Sequence, residues 1–289
     1  MQLGPQLAAG KTKVVYAHPT DSALAVLLHK DGITAGDGVR RNEIPGKGAI
    51  AGRTTANVFA LLGRAGIATH FVAAPSPELT VVRRCAMIPL EVVMRRLATG
   101  SYLKRHPAVA EGTRFEPPLV EFFLKDDARH DPQISEEAIV AQGVASAAEV
   151  GQMIEVGREV FTTIEAAWAA QEVALVDLKI EFGRAMAGGS RGEASAQEPR
   201  LVGGRAALVG GEASAQEPRL VGGRAADASP LLVADVIDND SWRIWPGGDK
   251  ARMLDKQVYR NAQVVDADLL GAIKQRYELV AELTERFGQ

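Results

Sequence analysis

The chain has 289 residues, with 33 lysines and arginines against 36 aspartates and glutamates, and a formal net charge of −3. This near balance excludes a strongly basic protein that coats nucleic acid. The single cysteine, Cys85, excludes an internal disulfide, and without a cysteine–histidine cluster no zinc site is predicted. Because the sequence has no secretory leader and no run of about 18 apolar residues, we expect a cytoplasmic protein without membrane or nucleic-acid partners. Whether the protein forms a homo-oligomer stays open.

The predicted elements alternate between strands and helices, which is typical of an α/β or α+β fold. Helical spacing predicts a helix over 50–64, a second one that begins with a capping box at Ser146 and Glu149, and a last one from Asp266. Short apolar or β-branched runs bounded by Gly, Pro or Asp predict early strands at 14–16, 24–28, 69–73, 80–84 and 91–95.

A segment of unusual composition separates two further predicted strands, 175–182 and 231–237. Residues 184–230 contain no aromatic residue and no lysine, and the sixteen residues 192–207 recur unchanged at 211–226. Two copies cannot stack the shared core of a repeat protein, so we expect an unstructured insertion. Lengthening a hairpin turn from ~5 to ~47 residues costs only about 2 kcal/mol of closure entropy, so the strands are still expected to pair.

Charged residues alternate along the predicted strand 175–182. Period two puts Asp177, Lys179 and Glu181 on one face, which for a lone strand also fits a solvated surface. The neighbouring predicted strand is apolar on both faces except for Asp235, and a buried carboxylate needs a partner or a cation. Glu181 and Asp235 on adjacent strands therefore predict ligands for a hard cation such as Mg²⁺.

Two lysines, Lys11 and Lys13, lie in the sequence Gly-Lys-Thr-Lys, immediately before the strand predicted at 14–16. The segment is not a P-loop, because Gly4 lies one residue too far from Gly10 and no strand precedes it. A glycine-containing turn whose lysines reach nucleotide phosphates fits the pattern, and so does a pair of solvated lysines.

A phosphate-binding pattern follows the strand predicted at 91–95. Arg95 is followed by Thr99, Gly100 and Ser101, and a guanidinium, a hydroxyl and backbone N–H groups at a helix start suit a phosphate. A capped helix with solvated arginines is the alternative. Three other charged segments have a composition that fits either an ordinary surface loop or a functional loop. They are 33–48 with Asp37 and Arg40, 122–132 with Lys125 and Asp131, and 238–250 with Arg243 between two tryptophans.

Six blocks in this order resemble the SAICAR synthetase family, over ~240 residues outside the insertion and the chain ends. They are GKTKVVY, TAGDGVRRNEIPGKG, MIPLEVVMRRLATGSYLKR, FFLKDDARHDP, LVDLKIEFG and LLVADVIDNDSWRIWPGGDKARMLDKQVYR. The resemblance implies an ATP-grasp-like α/β (α+β) fold. Its small N-terminal β-rich nucleotide-binding lobe would span 1–90, and its larger α/β lobe, interrupted by the insertion, would span 91–289.

The resemblance also implies a reaction, with ATP and Mg²⁺ as cofactors. The carboxylated aminoimidazole ribonucleotide CAIR and L-aspartate would give SAICAR, ADP and phosphate through an acyl phosphate, in purine biosynthesis. ATP-binding positions are Lys11, Lys13, Met87 and Glu91, and metal positions are Glu181 and Asp235. Substrate-binding positions are Asp37, Arg40, Arg95, Ser101, Asp131 and Arg243. Catalytic positions are Lys11, Lys13, Lys125, Asp177 and Lys179.

Two other functions stay open at the level of the sequence. A small-molecule kinase of the inositol polyphosphate kinase type shares an ATP-grasp-like architecture and a D-x-K signature comparable to Asp177 and Lys179. A non-catalytic binding protein, disabled by the insertion, is the other. Both rank below the synthetase, because a kinase has no reason to share MRRLATGS and FFLKDDARHDP, and because all the expected phosphate- and metal-binding side chains are present.

Overall fold

The structure is a computed structural model that describes residues 1–36, 38–126, 129–186 and 230–288. Asp37 and the two repeat copies lie outside the described residues, so what was predicted for them stays a prediction. Among the described helices, none is both long enough and apolar enough to cross a membrane.

The N-terminal part contains a twisted antiparallel sheet, a two-stranded ribbon and one long helix. In chain order its elements are β1 (Gln6–Ala9), β2 (Lys13–Ala17), β3 (Leu24–His29), β4 (Gly32–Ala35), β5 (Arg40–Glu43), α1 (Lys47–Arg64), β6 (Phe71–Ser76) and β7 (Leu79–Arg83). The sheet has the order β1-β2-β3-β7-β6, and β4 pairs with β5. The four early strands predicted in this part correspond to β2, β3, β6 and β7.

Helix α1 begins earlier than the predicted start at residue 50. Gly46 precedes it with φ 86, in the left-handed region that favours glycine. The carboxylate of Asp31 accepts hydrogen bonds from the N–H groups of Gly46 at 3.0 Å and Gly48 at 2.8 Å. These bonds satisfy N–H groups that a helix start leaves without partners, so the helix extends into a glycine-rich segment of low helix propensity.

The larger part is built on a second, seven-stranded antiparallel sheet. Its elements are β8 (Cys85–Met87), β9 (Leu90–Leu97), α2 (Ser101–Arg105), β10 (Arg114–Leu124), β11 (Gln133–Ile134), α3 (Glu136–Ala141), α4 (Ala147–Ala169), β12 (Val173–Ala185), β13 (Leu231–Ala234), β14 (Trp242–Pro246), a 3₁₀ turn (Lys250–Arg252), α5 (Gln257–Asn261) and α6 (Ala267–Thr284). Strand β12 is its centre: the first half pairs with β9 and β14, and the second half with β8 and β13.

The predicted hairpin across the insertion is confirmed, with two corrected boundaries. Strand β13 ends at Ala234 rather than at residue 237, so Asp235 follows the strand instead of lying within it. Strands β12 and β13 pair antiparallel, with Arg184 opposite Leu231. Arg184, predicted as the first residue of the insertion, therefore belongs to β12. Its guanidinium bonds Glu149 in the capping box of α4, and this hydrogen bond lowers the pKa of Glu149 to about 2. Composition could not reveal a contact made across the fold, so the insertion starts later than predicted.

One hydrophobic core connects the two parts. Val58 and Leu62 of α1 belong to the same buried cluster as Val92 of β9, Ile164 of α4 and Ile180 of β12. A smaller cluster joins the ribbon, α1, α5 and α6 through Ile33, Ile44, Ile50, Tyr259, Ile273, Tyr277 and Ala281. Strand β8 lies before residue 90 but pairs with β12, and the division into lobes at 90 stays a prediction.

Candidate active site

A polar cleft of about 1880 Å³ lies between the β1–β2 hairpin, the β4–β5 ribbon and one face of the large sheet. The predicted site residues that line it are Lys11, Lys13, Glu91, Arg95, Ser101, Lys125, Asp131, Asp177, Lys179, Glu181, Asp235 and Arg243. Met87 and Arg40 are described but do not line the cleft. One cavity therefore brings together segments far apart in the chain.

Lysines surround the carboxylate of Glu181 at one end of the cleft. Its side chain is only 2% exposed, and both of its oxygens accept from Nζ of Lys125, at 2.8 and 2.7 Å. Nζ of Lys179 donates to Glu181 at 3.0 Å and to Glu91 at 3.1 Å. Burial lowers the pKa of Lys179, but the charges of Glu181 and Glu91 outweigh burial and raise it above its ordinary value. Lys179 is therefore protonated at neutral pH.

Asp235 follows the last residue of β13 and faces the same end of the cleft. It has φ 65, which is uncommon for a residue other than glycine but tolerated by aspartate. Its carboxylate forms an ion pair with Lys13, and its carbonyl oxygen lies 2.9 Å from Nε2 of His70. Burial raises the pKa of Asp235, but Lys13 and Lys179 outweigh burial and hold it well below its ordinary value. Asp235 is therefore ionised.

Arginines and one aspartate form the other end of the cleft. Asp177 of β12 lies opposite Arg95 of β9 on one side and Arg243 of β14 on the other. Its Oδ2 accepts from Nη1 of Arg95 at 2.9 Å and from Nη1 of Arg243. Ser101 begins α2 beside them, after Gly100. The structure thus brings together the three residues predicted to hold a phosphate.

Two charged residues at this end were missed by the sequence analysis. Glu121 of β10 accepts hydrogen bonds from Arg95 and from Arg105, and Arg105 lines the cleft. The sequence contained a signal for Glu121, because this carboxylate lies between the apolar residues Val120 and Phe122. The same pattern, a lone carboxylate in an apolar run, identified Asp235.

Met87 and Arg40 lie elsewhere. Met87 is 43% exposed on the edge strand β8, where its Sδ lies 3.7 Å from Sγ of Cys85. Arg40 donates to the carbonyl oxygens of Tyr259 at 2.9 Å and Ala262 at 2.7 Å, so it fastens the ribbon to α5. The next residue, Arg41, lines the cleft instead.

A second, largely buried charge cluster borders the cleft: its Asp240 and Lys256 line the cleft, whereas Lys47 of α1 and Tyr277 of α6 lie behind them. Asp240 accepts from Nζ of Lys256 at 3.0 Å and from the hydroxyl of Tyr277 at 3.1 Å, and Nζ of Lys47 lies 3.9 Å away. Burial raises the pKa of Asp240, but the two lysines outweigh burial and hold it below its ordinary value. Burial and the charge of Asp240 raise the pKa of the neighbouring Asp238. These residues were not predicted as site residues from the sequence.

The two predicted metal ligands fit a magnesium ion that is shared with a ligand. Among the described residues, no group of three or more histidines, cysteines or carboxylates converges. Mg²⁺, however, is commonly bound by one or two carboxylates together with substrate phosphates. Glu181 and Asp235 supply hard oxygen donors. Glu181 is buried, Asp235 is largely buried, and both lie beside lysines that can bind phosphate. The donor set therefore suits Mg²⁺ bound with a nucleotide.

Comparisons with known proteins point to one family. The SAICAR synthetase family model matches residues 6–190 and 223–271. A phosphoribosylaminoimidazole-succinocarboxamide synthase of Chloroflexus aurantiacus is 62% identical over 288 residues, covering 100% of this chain and 99% of that protein. The solved structure of a synthase of the same name from Ehrlichia chaffeensis has a TM-score of 0.76 at 24% identity, covering 99% of this chain and 100% of that one. A SAICAR synthetase in complex with ADP has a TM-score of 0.70 at 27% identity, covering 93% and 96%. These structures confirm the predicted fold.

Proposed function

The chain belongs to the SAICAR synthetase family, and we propose that its cleft joins CAIR to L-aspartate at the expense of ATP, in purine biosynthesis. The observation that carries the proposal is that both ends of the cleft can bind an anion. We call them the lysine end, with Lys13, Lys125 and Lys179, and the arginine end, with Arg95 and Arg243. Asp177, Lys179 and Glu181, alternate residues of β12, connect the arginine end to the lysine end. A phosphorylated acceptor and a nucleoside triphosphate together need two such ends, because transfer between anions requires that their charges be neutralised and their positions fixed.

The lysine end binds ATP. Lys11 and Lys13 lie in the β1–β2 hairpin and bind its phosphates, and Glu91 lines the nucleotide pocket. The family resemblance also assigns Met87 to this pocket, but Met87 is exposed on β8 and does not line the cleft. The structural likeness to a SAICAR synthetase in complex with ADP supports a nucleotide in this cleft.

Glu181 and Asp235 would hold Mg²⁺ at this end. The bound ion supplies charge neutralisation and orientation of the transferred phosphoryl group. Lys13 and Lys125, which now pair with the two carboxylates, bind phosphoryl oxygens. Lys179, which donates to Glu181 and Glu91, adds a positive charge between the two ends of the cleft.

The arginine end binds the phosphate of CAIR. Arg95, Ser101 and Arg243 contact it, and Asp177 fixes both guanidinium groups. Asp131 lies on a loop at the cleft, and the resemblance adds Asp37 and Arg40 to the loops that close around the substrates. In the structure Arg40 holds carbonyl oxygens, so we assign it the anchoring of this loop.

The chemistry proceeds in two displacements. An oxygen of the CAIR carboxylate bonds to the γ-phosphorus of ATP, and the bond to the bridging oxygen breaks, so ADP leaves. The amine of L-aspartate then bonds to the acyl carbon, the bond from that carbon to the phosphate oxygen breaks, and the nitrogen gives up a proton. The residues named bind and orient the reactants, and none of them forms a covalent intermediate.

Release of ADP by the purified protein with ATP, Mg²⁺ and CAIR tests the proposal, when it is run with and without L-aspartate. We expect ADP release that depends on aspartate and a product with the mass of SAICAR. ADP release with a phosphorylated acceptor but no aspartate requirement would indicate the kinase instead. A folded protein that binds no nucleotide would indicate a non-catalytic binding protein.

A further inference from the structure

A buried carboxylate, Glu121 of β10, holds two arginines at the arginine end of the cleft. Its side chain is 4% exposed. It accepts from Nε of Arg95 and Nη2 of Arg105, both at 2.5 Å, and from Nε2 of Gln133 at 3.2 Å. Burying a carboxylate is costly unless its charge is paired. These donors account for its burial and connect it to a residue assigned to the substrate phosphate.

The pairing of β9 with β10 determines the position of Glu121. Glu121 lies opposite Val93, and Leu119 lies opposite Arg95. The side chains of Glu121 and Arg95 are therefore diagonal neighbours on one face of the sheet. Arg95 is also opposite Asp177 of β12. Its guanidinium is thus held from two sides, by Glu121 through Nε and by Asp177 through Nη1.

The charges at this end alternate in sign along a row. Its members are Arg105, Glu121, Arg95, Asp177 and Arg243. The three arginines outnumber the two carboxylates, and an excess of positive charge in a partly buried cleft favours an anion. Each carboxylate reduces that excess. What a carboxylate can contribute to anion binding here is therefore orientation of the arginines rather than charge.

We propose that Glu121 is a positioning residue for the phosphate-bearing substrate. It fixes the guanidinium planes of Arg95 and Arg105, both of which line the cleft, before the phosphate binds. An arginine that binds a phosphate through two parallel N–H groups gains affinity when its plane is already fixed. This inference rests on the proposed function, in which that substrate is CAIR.

The substitution Glu121→Gln separates orientation from charge. It keeps the length of the side chain but removes a negative charge, so an effect of charge alone would make CAIR bind more tightly. The Gln amide has one acceptor oxygen and an NH2 group that would face a guanidinium donor, so it cannot hold both arginines. At least one arginine is then free to turn, and we expect the KM and Kd for CAIR to rise about tenfold to a hundredfold. The KM values for ATP and L-aspartate should stay within about twofold of wild type.

Glu165→Gln is the matched control. Glu165 accepts two hydrogen bonds of 2.6 Å from Arg96, the residue next to Arg95 in β9. Neither Glu165 nor Arg96 lines the cleft. The control therefore loses a pair of the same chemistry outside the site. Thermal unfolding of both variants separates damage to the fold from damage to the site, and Glu121→Asp should recover part of the affinity.

A KM and Kd for CAIR that are unchanged or lower in Glu121→Gln would overturn the inference, and so would an equal rise in Glu165→Gln. If Glu121→Gln does not fold, Arg105→Lys takes its place, because this side chain is more exposed, and an unchanged Kd there would also overturn it. A wild-type protein that binds no CAIR would instead overturn the proposed function, so the two failures are distinguishable.

Discussion

Gly100 determines where a substrate-facing arginine can lie. Its φ of 58 is in the left-handed region, and a Cβ at this position would lie 2.7 Å from Nη2 of Arg243. Glycine avoids both the backbone strain and this collision. Arg243 can therefore lie across the turn that begins α2 and still reach Asp177.

We expect Gly100→Ala to displace Arg243 and raise the KM for CAIR by about tenfold or more. Gly112→Ala is the control, because Gly112 has φ 82 and no atom within 4 Å of the added Cβ. Both variants should lose about 1 kcal/mol of stability from backbone strain. Steady-state kinetics and thermal unfolding measure the two effects, and a similar KM in both variants would contradict the prediction.

His29, the last residue of β3 in the five-stranded sheet, makes the stability of the protein depend on pH. Its Nε2 lies 2.9 Å from the hydroxyl of Thr80, and burial, with the charges of Lys13 and Lys47, lowers its pKa from 6.5 to about 4. Between these pH values the unfolded chain binds more protons than the folded one. The contribution of His29, about 3 kcal/mol, is therefore complete above pH ~6.5 and is lost as the pH falls to ~4.

We expect His29→Gln to lose less stability than wild type between pH 7 and about 4.5, whatever its stability at pH 7. The exposed His106 supplies the control, and His106→Gln should retain the wild-type dependence. Chemical denaturation at several pH values measures the slopes. Equal slopes for His29→Gln and wild type would contradict the assignment.

At the scale of elements, the sequence predicted the helix starts that are capped by residues close in the chain. The capping box of Ser146 and Glu149 begins α4, and Asp266 caps α6, as predicted. The start of α1 was misplaced because its cap, Asp31, comes from another segment. Capping by a distant residue leaves no signal in the helix sequence itself.

In the candidate site, too, local pattern predicted some features, while others depend on contacts between distant segments. Alternation along β12 predicted that its three charged residues share a face, and the structure has them in one cleft. Between Arg40 and Arg41 the sequence could not choose, because adjacent strand residues face opposite sides and the register of a short ribbon depends on what packs against it. Glu121 was missed although its pattern was visible.

The insertion can be removed at a point that the structure defines. A deletion of residues 187–229, joined by a short glycine-containing turn, keeps Arg184 bonded to Glu149 and opposite Leu231. We expect kcat and KM within about twofold of wild type, and a stability equal to or up to about 2 kcal/mol above it.

The comparison is a deletion of residues 184–230, the range predicted from composition. It also removes the Arg184–Glu149 ion pair and the last residue pair of the hairpin. Its melting temperature should be lower than that of the shorter deletion. An inactive but well-folded shorter deletion would show that the insertion has a function.

At the scale of the whole molecule, the predicted lobes share their interior. Residues of α1 pack in the same core as residues of β9, β12 and α4. Helix α6, near the end of the chain, packs on α1 and the ribbon near its beginning. Composition and periodicity predict which residues are buried, but not which of them meet. The division at residue 90, which the family resemblance implies, stays a prediction.

We therefore expect the molecule to unfold in one cooperative transition. Tryptophan fluorescence reports on the large sheet and α4, where Trp168, Trp242 and Trp245 lie, whereas far-UV circular dichroism reports on both parts. The two urea curves should coincide, because neither part keeps its core when the other unfolds. Separate midpoints would show that the lobes are independent.

The even spacing along β12 has an evolutionary consequence. Asp177, Lys179 and Glu181 follow one another at ~6.8 Å, so the two ends of the cleft stay about 13 Å apart. Gain or loss of a single codon between them would turn one end toward the opposite face. Strand β12 ends at Ala185. We therefore expect descendants of this gene to keep the residue count of the segment from 177 to 181, whereas the connection between β12 and β13 can change in length.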